Sequence, residues 1–191
     1  MYQVGLIGCG NIAETYFRSQ TYFHNIKIIS CADINEEAAM KCAQQFNIKS
    51  MFVDDLLDDK NIDIILNLTP PQAHYDVIKK TLLAGKHSYC EKPLSTKFKQ
   101  GQELVNLAKE KNLYLGNAPD TFLGAGGQLS RQLIDSGEVG EIKLGNFIFA
   151  FPGVQPWHPN PEPWFQADGG PMIDMGPYYY TMLVNLLGPA K

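Results

Sequence analysis

A strand that runs into a glycine turn and straight out into a helix is the feature that most narrows what this chain can fold into. Val4 to Ile7 is apolar and strand-like, Gly8-Cys9-Gly10-Asn11-Ile12-Ala13 follows, and Ile12 to Gln20 reads as a helix. Gly8 can make the tight turn, Gly10 lets the backbone approach a pyrophosphate, and Ala13 is small enough for close helix–strand packing. The phosphates would rest on the helix N-terminus, where unpaired N–H groups and the dipole favour negative charge, with Gly8, Gly10, Asn11 and Ile12 as the contacts. Such a turn can also do no more than join a strand to a helix. Asp33 separates the two readings: it ends the second strand about 20 residues past the motif, where a ribose-binding carboxylate belongs. Asp33 should repel a 2′-phosphate, and neither Ile34 nor Asn35 supplies a cation. NAD is therefore expected over NADP.

The rest of the first two-thirds repeats the alternation. Lys27 to Cys31, Ile62 to Leu68, His87 to Cys90 and Tyr114 to Leu115 read as strands, nearly continuously apolar, as when helices cover both faces of a parallel sheet. Glu36 to Gln45, Gln72 to Ala84 and Lys97 to Lys111 carry apolar residues at helical spacing. Strand–helix–strand repetition implies right-handed crossovers and an α/β, Rossmann-type doubly wound sheet. After Asn117 the character changes. A glycine-bearing helical stretch, Thr121 to Ser136, leads into a long β-run, Glu141 to Phe151. A Pro- and aromatic-rich segment with Trp157, His158 and Trp164 follows, then an apolar helix over Met172 to Leu187. The expected division is residues 1–118, a dinucleotide-binding domain, and 119–191, a partial α+β domain. The β-run has no partner strand in the sequence, and a lone strand makes no stable sheet.

Composition excludes several classes of function. Sixteen basic residues against 20 acidic ones give a formal charge of −4, so there is no basic surplus to neutralise a nucleic-acid backbone. No apolar run approaches the length of a membrane span, and strand-like sequence from Gln3 leaves no room for a signal peptide. Cys9, Cys31, Cys42 and Cys90 form no C-x-x-C pair, and three of them lie in or beside apolar runs. Free thiols in a reducing, cytoplasmic compartment are expected, and no metal site. Asp54, Asp55, Asp58 and Asp59 fit no calcium loop and read as a solvated helix face.

Two further motifs sit where ligands bind in such sheets. Leu68-Thr69-Pro70-Pro71 ends one strand at its carboxyl end, and Tyr89-Cys90-Glu91-Lys92-Pro93-Leu94-Ser95 ends the next. Taken with Gly8-x-Gly10-x-x-Ala13 and the late Gly169-Gly170-Pro171-Met172-Ile173-Asp174-Met175-Gly176, they resemble the Gfo/Idh/MocA family of NAD(P)-dependent oxidoreductases. These act mostly on sugars, polyols and inositols. The resemblance runs from residue 3 to the last helix.

It implies that Lys92 is the catalytic lysine, that Pro93 follows a cis peptide, and that Thr69, Pro70, His74 and Glu91 line the cofactor cleft. Asp174 would be the active-site aspartate. Many members carry a histidine four residues later. Tyr178 stands there in this chain, as in glucose–fructose oxidoreductase-like members, and would be the proton-transfer group, with Lys92 easing its deprotonation. Trp157 and His158 would meet the substrate. Typical members are nearly twice this long, which implies a shortened second domain, and homo-oligomers are expected of the full-length form.

The chemistry implied is hydride transfer between a secondary alcohol and nicotinamide, which needs a base at hydrogen-bond distance from the hydroxyl. Two alternatives stay open: a dinucleotide-binding sensor without turnover, and an inactive piece of a longer dehydrogenase.

Overall fold

The computed structural model describes residues 1–156, 161–165 and 170–189. The chain divides into two compact units, Met1–Ala118 and Pro119–Lys191.

In the first unit, strands and helices alternate: β1 (Tyr2–Ile7), α1 (Ala13–Ser19), β2 (Ile26–Ala32), α2 (Glu36–Phe46), β3 (Lys49–Ser50), α3 (Val53–Asp58), β4 (Ile64–Asn67), α4 (Pro71–Leu83), β5 (His87–Cys90), α5 (Phe98–Glu110) and β6 (Leu115–Asn117). The six strands form one sheet in the order β3-β2-β1-β4-β5-β6, every pairing parallel. This is the doubly wound α/β fold that the alternation implies. The chain reverses direction of travel between β1 and β4, and the crevice at the carboxyl ends of such strands is where ligands bind.

The apolar strand residues are buried because helices cover both faces of the sheet. On one face Val4, Leu6 and Cys31 pack against Phe17 of α1 and Cys42 and Ala43 of α2. Phe17 and Phe46 stack with centroids 4.0 Å apart. Ile7 and Ile65 pack with Leu56 and Leu57 of α3 in a second cluster, and a third gathers Ile78, Leu82, Cys90, Leu104 and Ala108. Helix α2 starts at Asn35, whose side chain accepts from the Glu37 and Ala38 amides, and stops at Asn47, which takes the left-handed conformation at φ 52°. Three of the acidic residues at 54, 55 and 58 lie on α3 and are exposed, in keeping with a solvated face.

The second unit departs from the sequence reading in three places. The stretch that reads as one helix from Thr121 to Ser136 breaks at Gly124, whose backbone is extended, so that a 3-10 turn over Thr121–Leu123 precedes a helix that starts only at Ala125. Residues 141–151 form no strand, and Leu144 and Ile148 stand exposed. A strand needs a hydrogen-bonding neighbour, and none is present among the described residues. The final helix is interrupted: α7 (Pro171–Asp174) and α8 (Gly176–Leu187) meet at Met175, because Pro177 has no N–H with which to carry the hydrogen-bond ladder across. The remaining helix, α6 (Ala125–Asp135), is tied to α8 by Arg131, whose Nη1 donates to the Asn185 and Leu186 carbonyls at 2.7 and 2.9 Å. Phe149 and Tyr179 make a tilted ring contact at 5.6 Å. No described helix is long and apolar enough to cross a membrane.

Candidate functional site

The glycine turn leaves β1 and is held by the neighbouring strands. Gly8 N donates to the Ala32 carbonyl at 2.9 Å, and Cys9 N donates to Asp33 Oδ2 at 2.8 Å. Gly8 has φ +103°, and a Cβ on it would lie 2.6 Å from the Leu68 carbonyl carbon and 2.7 Å from the Thr69 nitrogen. Only glycine fits there, since both the backbone angle and the space exclude a side chain. A Cβ on Gly10, in contrast, meets no protein atom within 4 Å. It would project into the open space before the turn, where a side chain would hinder a diphosphate. Helix α1 begins at the next turn, its amides uncapped by any side chain. These residues fit the diphosphate of a dinucleotide.

Asp33 follows β2. Its Oδ1 accepts from the Asn35 amide at 2.8 Å while Oδ2 holds Cys9 N. Each carboxylate oxygen has a second lone pair, so Asp33 can brace the turn and still accept from a hydroxyl.

The loop after β4 is set by Asn67, which is fully buried. Its Oδ1 accepts from the Thr69 amide at 3.1 Å and from Thr69 Oγ1 at 2.7 Å. Pro70 and Pro71 then start α4, where the missing amide hydrogens are not needed. His74, on the first turns of α4, is 1% exposed. One ring nitrogen lies 2.6 Å from the Pro93 carbonyl oxygen and the other 2.7 Å from that of Thr69. Its role in the structure is to fasten the loop after β4 to the loop after β5.

Glu91 and Lys92 follow β5. Glu91 Oε1 accepts from the Tyr16 hydroxyl of α1 at 2.7 Å, and Oε2 accepts from the Lys92 amide at 3.0 Å. Asn117, at the end of β6, donates through Nδ2 to the Cys90 and Glu91 carbonyls at 3.0 and 2.9 Å. The Lys92–Pro93 peptide is cis. Both Glu91 and Lys92 are half-buried.

The first unit therefore brings Gly8, Gly10, Asp33, Thr69, Pro70, Glu91 and Lys92 to the carboxyl edge of one sheet. Asn11 and Ile12 lie in the turn itself. Asp174 closes α7 and Tyr178 lies in the first turn of α8, both half-buried in the second unit. Trp157 and His158 lie outside the described residues.

Three supporting residues, Tyr16, Asn67 and Asn117, escaped the sequence reading. Tyr16 acts on a carboxylate and Asn117 on main chain, both distant in sequence, while Asn67 acts on Thr69 two residues on. The one available signal was Asn67, a polar residue closing an otherwise apolar strand.

Comparison with known proteins adds an independent line. Residues 2–118 match the family described as "Oxidoreductase family, NAD-binding Rossmann fold", and residues 128–191 match the "GFO/IDH/MocA C-terminal domain". The dTDP-3,4-didehydro-2,6-dideoxy-alpha-D-glucose 3-reductase of Saccharopolyspora spinosa is 29% identical over 98% of this chain and 57% of its own length. The WlbA dehydrogenase from Chromobacterium violaceum, solved with NADH and UDP-GlcNAcA, superposes with a TM-score of 0.85 at 23% identity, over 98% of this chain and 56% of that one. Biliverdin reductase from Synechocystis sp. PCC 6803, solved with biliverdin and NADP+, superposes at 0.75 with 25% identity, over 99% and 59%. The chain spans about half the length of the curated relatives it matches.

Proposed function

The chain belongs to the GFO/IDH/MocA oxidoreductase family, and from that premise we propose that it transfers hydride between a nicotinamide coenzyme, NAD in preference to NADP, and a secondary alcohol of a sugar, polyol or inositol-like substrate. One observation carries the reading: a glycine turn whose Gly8 admits no side chain, a carboxylate, the Thr69–Pro70 loop and Lys92 meet at the carboxyl edge of β1, β2, β4 and β5. A family whose description names NAD binding, and a relative that reduces a nucleotide-linked sugar, support it.

Gly8 and Gly10, with the amides around Asn11 and Ile12, hold the diphosphate. Asp33 accepts from the adenosine ribose, and the absence of a cation at Ile34 or Asn35 disfavours a 2′-phosphate. Thr69, Pro70 and Glu91 bound the cleft, with His74 shaping it from beneath. Residues 1–118 are the coenzyme domain, and 119–191 are part of a substrate and oligomerisation domain. When bound, the coenzyme supplies the hydride acceptor or donor.

The chain's own residues handle the proton, which must leave the hydroxyl as hydride leaves carbon. Tyr178 takes it, the Lys92 ammonium stabilises the oxygen charge that develops, and Asp174 orients the hydroxyl. Trp157 and His158 contact the substrate, the indole against the apolar face of a ring. The setting is the cytoplasm.

Calorimetric titration with NAD+ and NADP+, followed by a fluorescence assay for NADH across a sugar, polyol and inositol panel, tests the proposal. NAD+ should bind the more tightly, and at least one alcohol should drive reduction. No heat with either nucleotide would overturn it. Binding without alcohol-dependent reduction would make the protein a coenzyme sensor.

A further inference from the structure

Three cysteines far apart in sequence meet directly beneath the glycine turn. Cys9 lies within the turn, Cys31 in β2 and Cys42 on α2, and their sulfurs all lie within 4.8 Å of one another. Cys31 and Cys42 are buried, while Cys9 is partly exposed and gives the group an opening to solvent. The surroundings are apolar, with Val4, Leu6, Ala13 and Phe17 in the same cluster.

A metal bound by three thiolates would place net negative charge in that setting, close to the Asp33 carboxylate. A disulfide is neutral and carries no such cost. We infer that Cys9 and Cys31 form a hydroperoxide-sensitive disulfide site built into the coenzyme turn.

Bringing two sulfurs from within 4.8 Å to about 2.05 Å needs side-chain rotation and a small shift of the turn. The chemistry balances with a hydroperoxide as oxidant. The Cys9 sulfur attacks one peroxide oxygen, the O–O bond breaks, the thiol proton goes to the departing oxygen, and Cys9 sulfenic acid forms with water from hydrogen peroxide or an alcohol from an alkyl hydroperoxide. Cys31 then attacks the Cys9 sulfur, the S–S bond forms, the S–O bond breaks, and the departing hydroxide leaves as water with the Cys31 proton.

Exposure puts Cys9 first, since Cys31 is buried, and polarity within the pair favours the second step. Hydrogen bonding between the two side chains pushes the Cys9 thiol up and holds Cys31 below the ordinary thiol range. Cys31 is thus the better attacking group, while the raised Cys9 makes the first step slow, so sustained peroxide is required. The consequence reaches the turn through the Cys9 amide, which holds Asp33 Oδ2 at 2.8 Å. Moving Cys9 moves both the diphosphate turn and its brace.

The coupling to coenzyme rests on the proposed function; the disulfide does not. Trypsin separates the three thiols, cutting after Arg18, Lys27, Lys41 and Lys49. Full-length protein treated with hydrogen peroxide and digested without reductant should yield peptide 1–18 joined to peptide 28–41. Calorimetry should show NAD+ affinity about tenfold weaker, restored by dithiothreitol. Cys31→Ala should form no link and keep its affinity through the treatment, and Cys42→Ala should still link.

No linked peptide, or a link to 42–49 instead, would overturn the site. A link that leaves NAD+ affinity unchanged would overturn the coupling. Reduced protein that binds no NAD+ yet still links would overturn the coenzyme reading and leave the disulfide standing.

Discussion

The two units treat strand-forming sequence in opposite ways. In Met1–Ala118 each strand, down to the two residues Lys49–Ser50, hydrogen-bonds to at least one parallel neighbour. In Pro119–Lys191 a run rich in β-branched and aromatic residues, 141–151, forms no strand and leaves its apolar side chains exposed. The difference shows that β-propensity is a readiness to pair and is realised only where a partner is supplied. In the first unit every partner comes from within, one crossover away in all pairings but that of β1 with β4. The proposed roles divide in the same way: the side chains proposed to hold coenzyme belong to the first unit, and two of the three proposed for proton transfer belong to the second.

The strongest test of that division is Lys92→Ala. It should leave NAD+ affinity unchanged while turnover falls by roughly 10²–10⁴, about 3–5 kcal/mol of barrier. Steady-state kinetics beside calorimetry checks this, and Asp174→Asn should share the pattern. An equal loss of binding and turnover would erase the separation of roles.

Packing gives the next largest contrast. Ile65 is 0% exposed and Leu144 is 86% exposed. Ile65→Ala should lower the unfolding free energy by about 2–5 kcal/mol, and Leu144→Ser should shift it by no more than about 0.5 kcal/mol, both read by urea denaturation. Comparable losses would mean that 141–151 is packed in solution.

Arg131→Met sharpens the account of the second unit, since the guanidinium satisfies two carbonyls at the end of α8. A cost of about 1 kcal/mol is expected, with faster amide exchange in the last turn of that helix. Exchange unaltered there would show that water replaces the arginine without loss.

The smallest effect is electrostatic and belongs to the first unit. Hydrogen bonds from Lys79 and Tyr75, each 2.7 Å, hold the Glu103 carboxyl below its usual range. A depressed folded value means a stabilising contribution present above about pH 4.3, the unfolded carboxyl's value, and lost as pH falls through the lower folded one. Thermal melts from pH 6 to pH 3 should therefore fall slightly less for Glu103→Gln than for the parent. Identical slopes would remove the contact from the stability account.

What could be read from the sequence was what is local. The glycine turn, the strand before it, Asp33 at the expected distance and the two motifs at strand ends are contiguous patterns, and the structure carries them to one edge of the sheet. The boundaries of α4 and α5 fall within a residue of the amphipathic pattern for the same reason. What stayed hidden depends on pairs remote in sequence. Nothing near Cys9 announces Cys42, nothing in Tyr16 points to Glu91, and nothing in Lys49–Ser50 marks an edge strand. The run 141–151 misled because side-chain preference was visible and the missing partner was not. Pro177 could have been heeded: it stands inside the apolar stretch that reads as one helix and divides it into two.

The grip of His74 has a practical corollary. Its imidazole reaches peptide oxygens and not side chains, so the fastening is indifferent to which residues decorate either loop. Replacing Thr69 by serine, which keeps the hydroxyl that Asn67 accepts from, should leave the spacing between the loops as it is. Position 74 itself offers no such latitude.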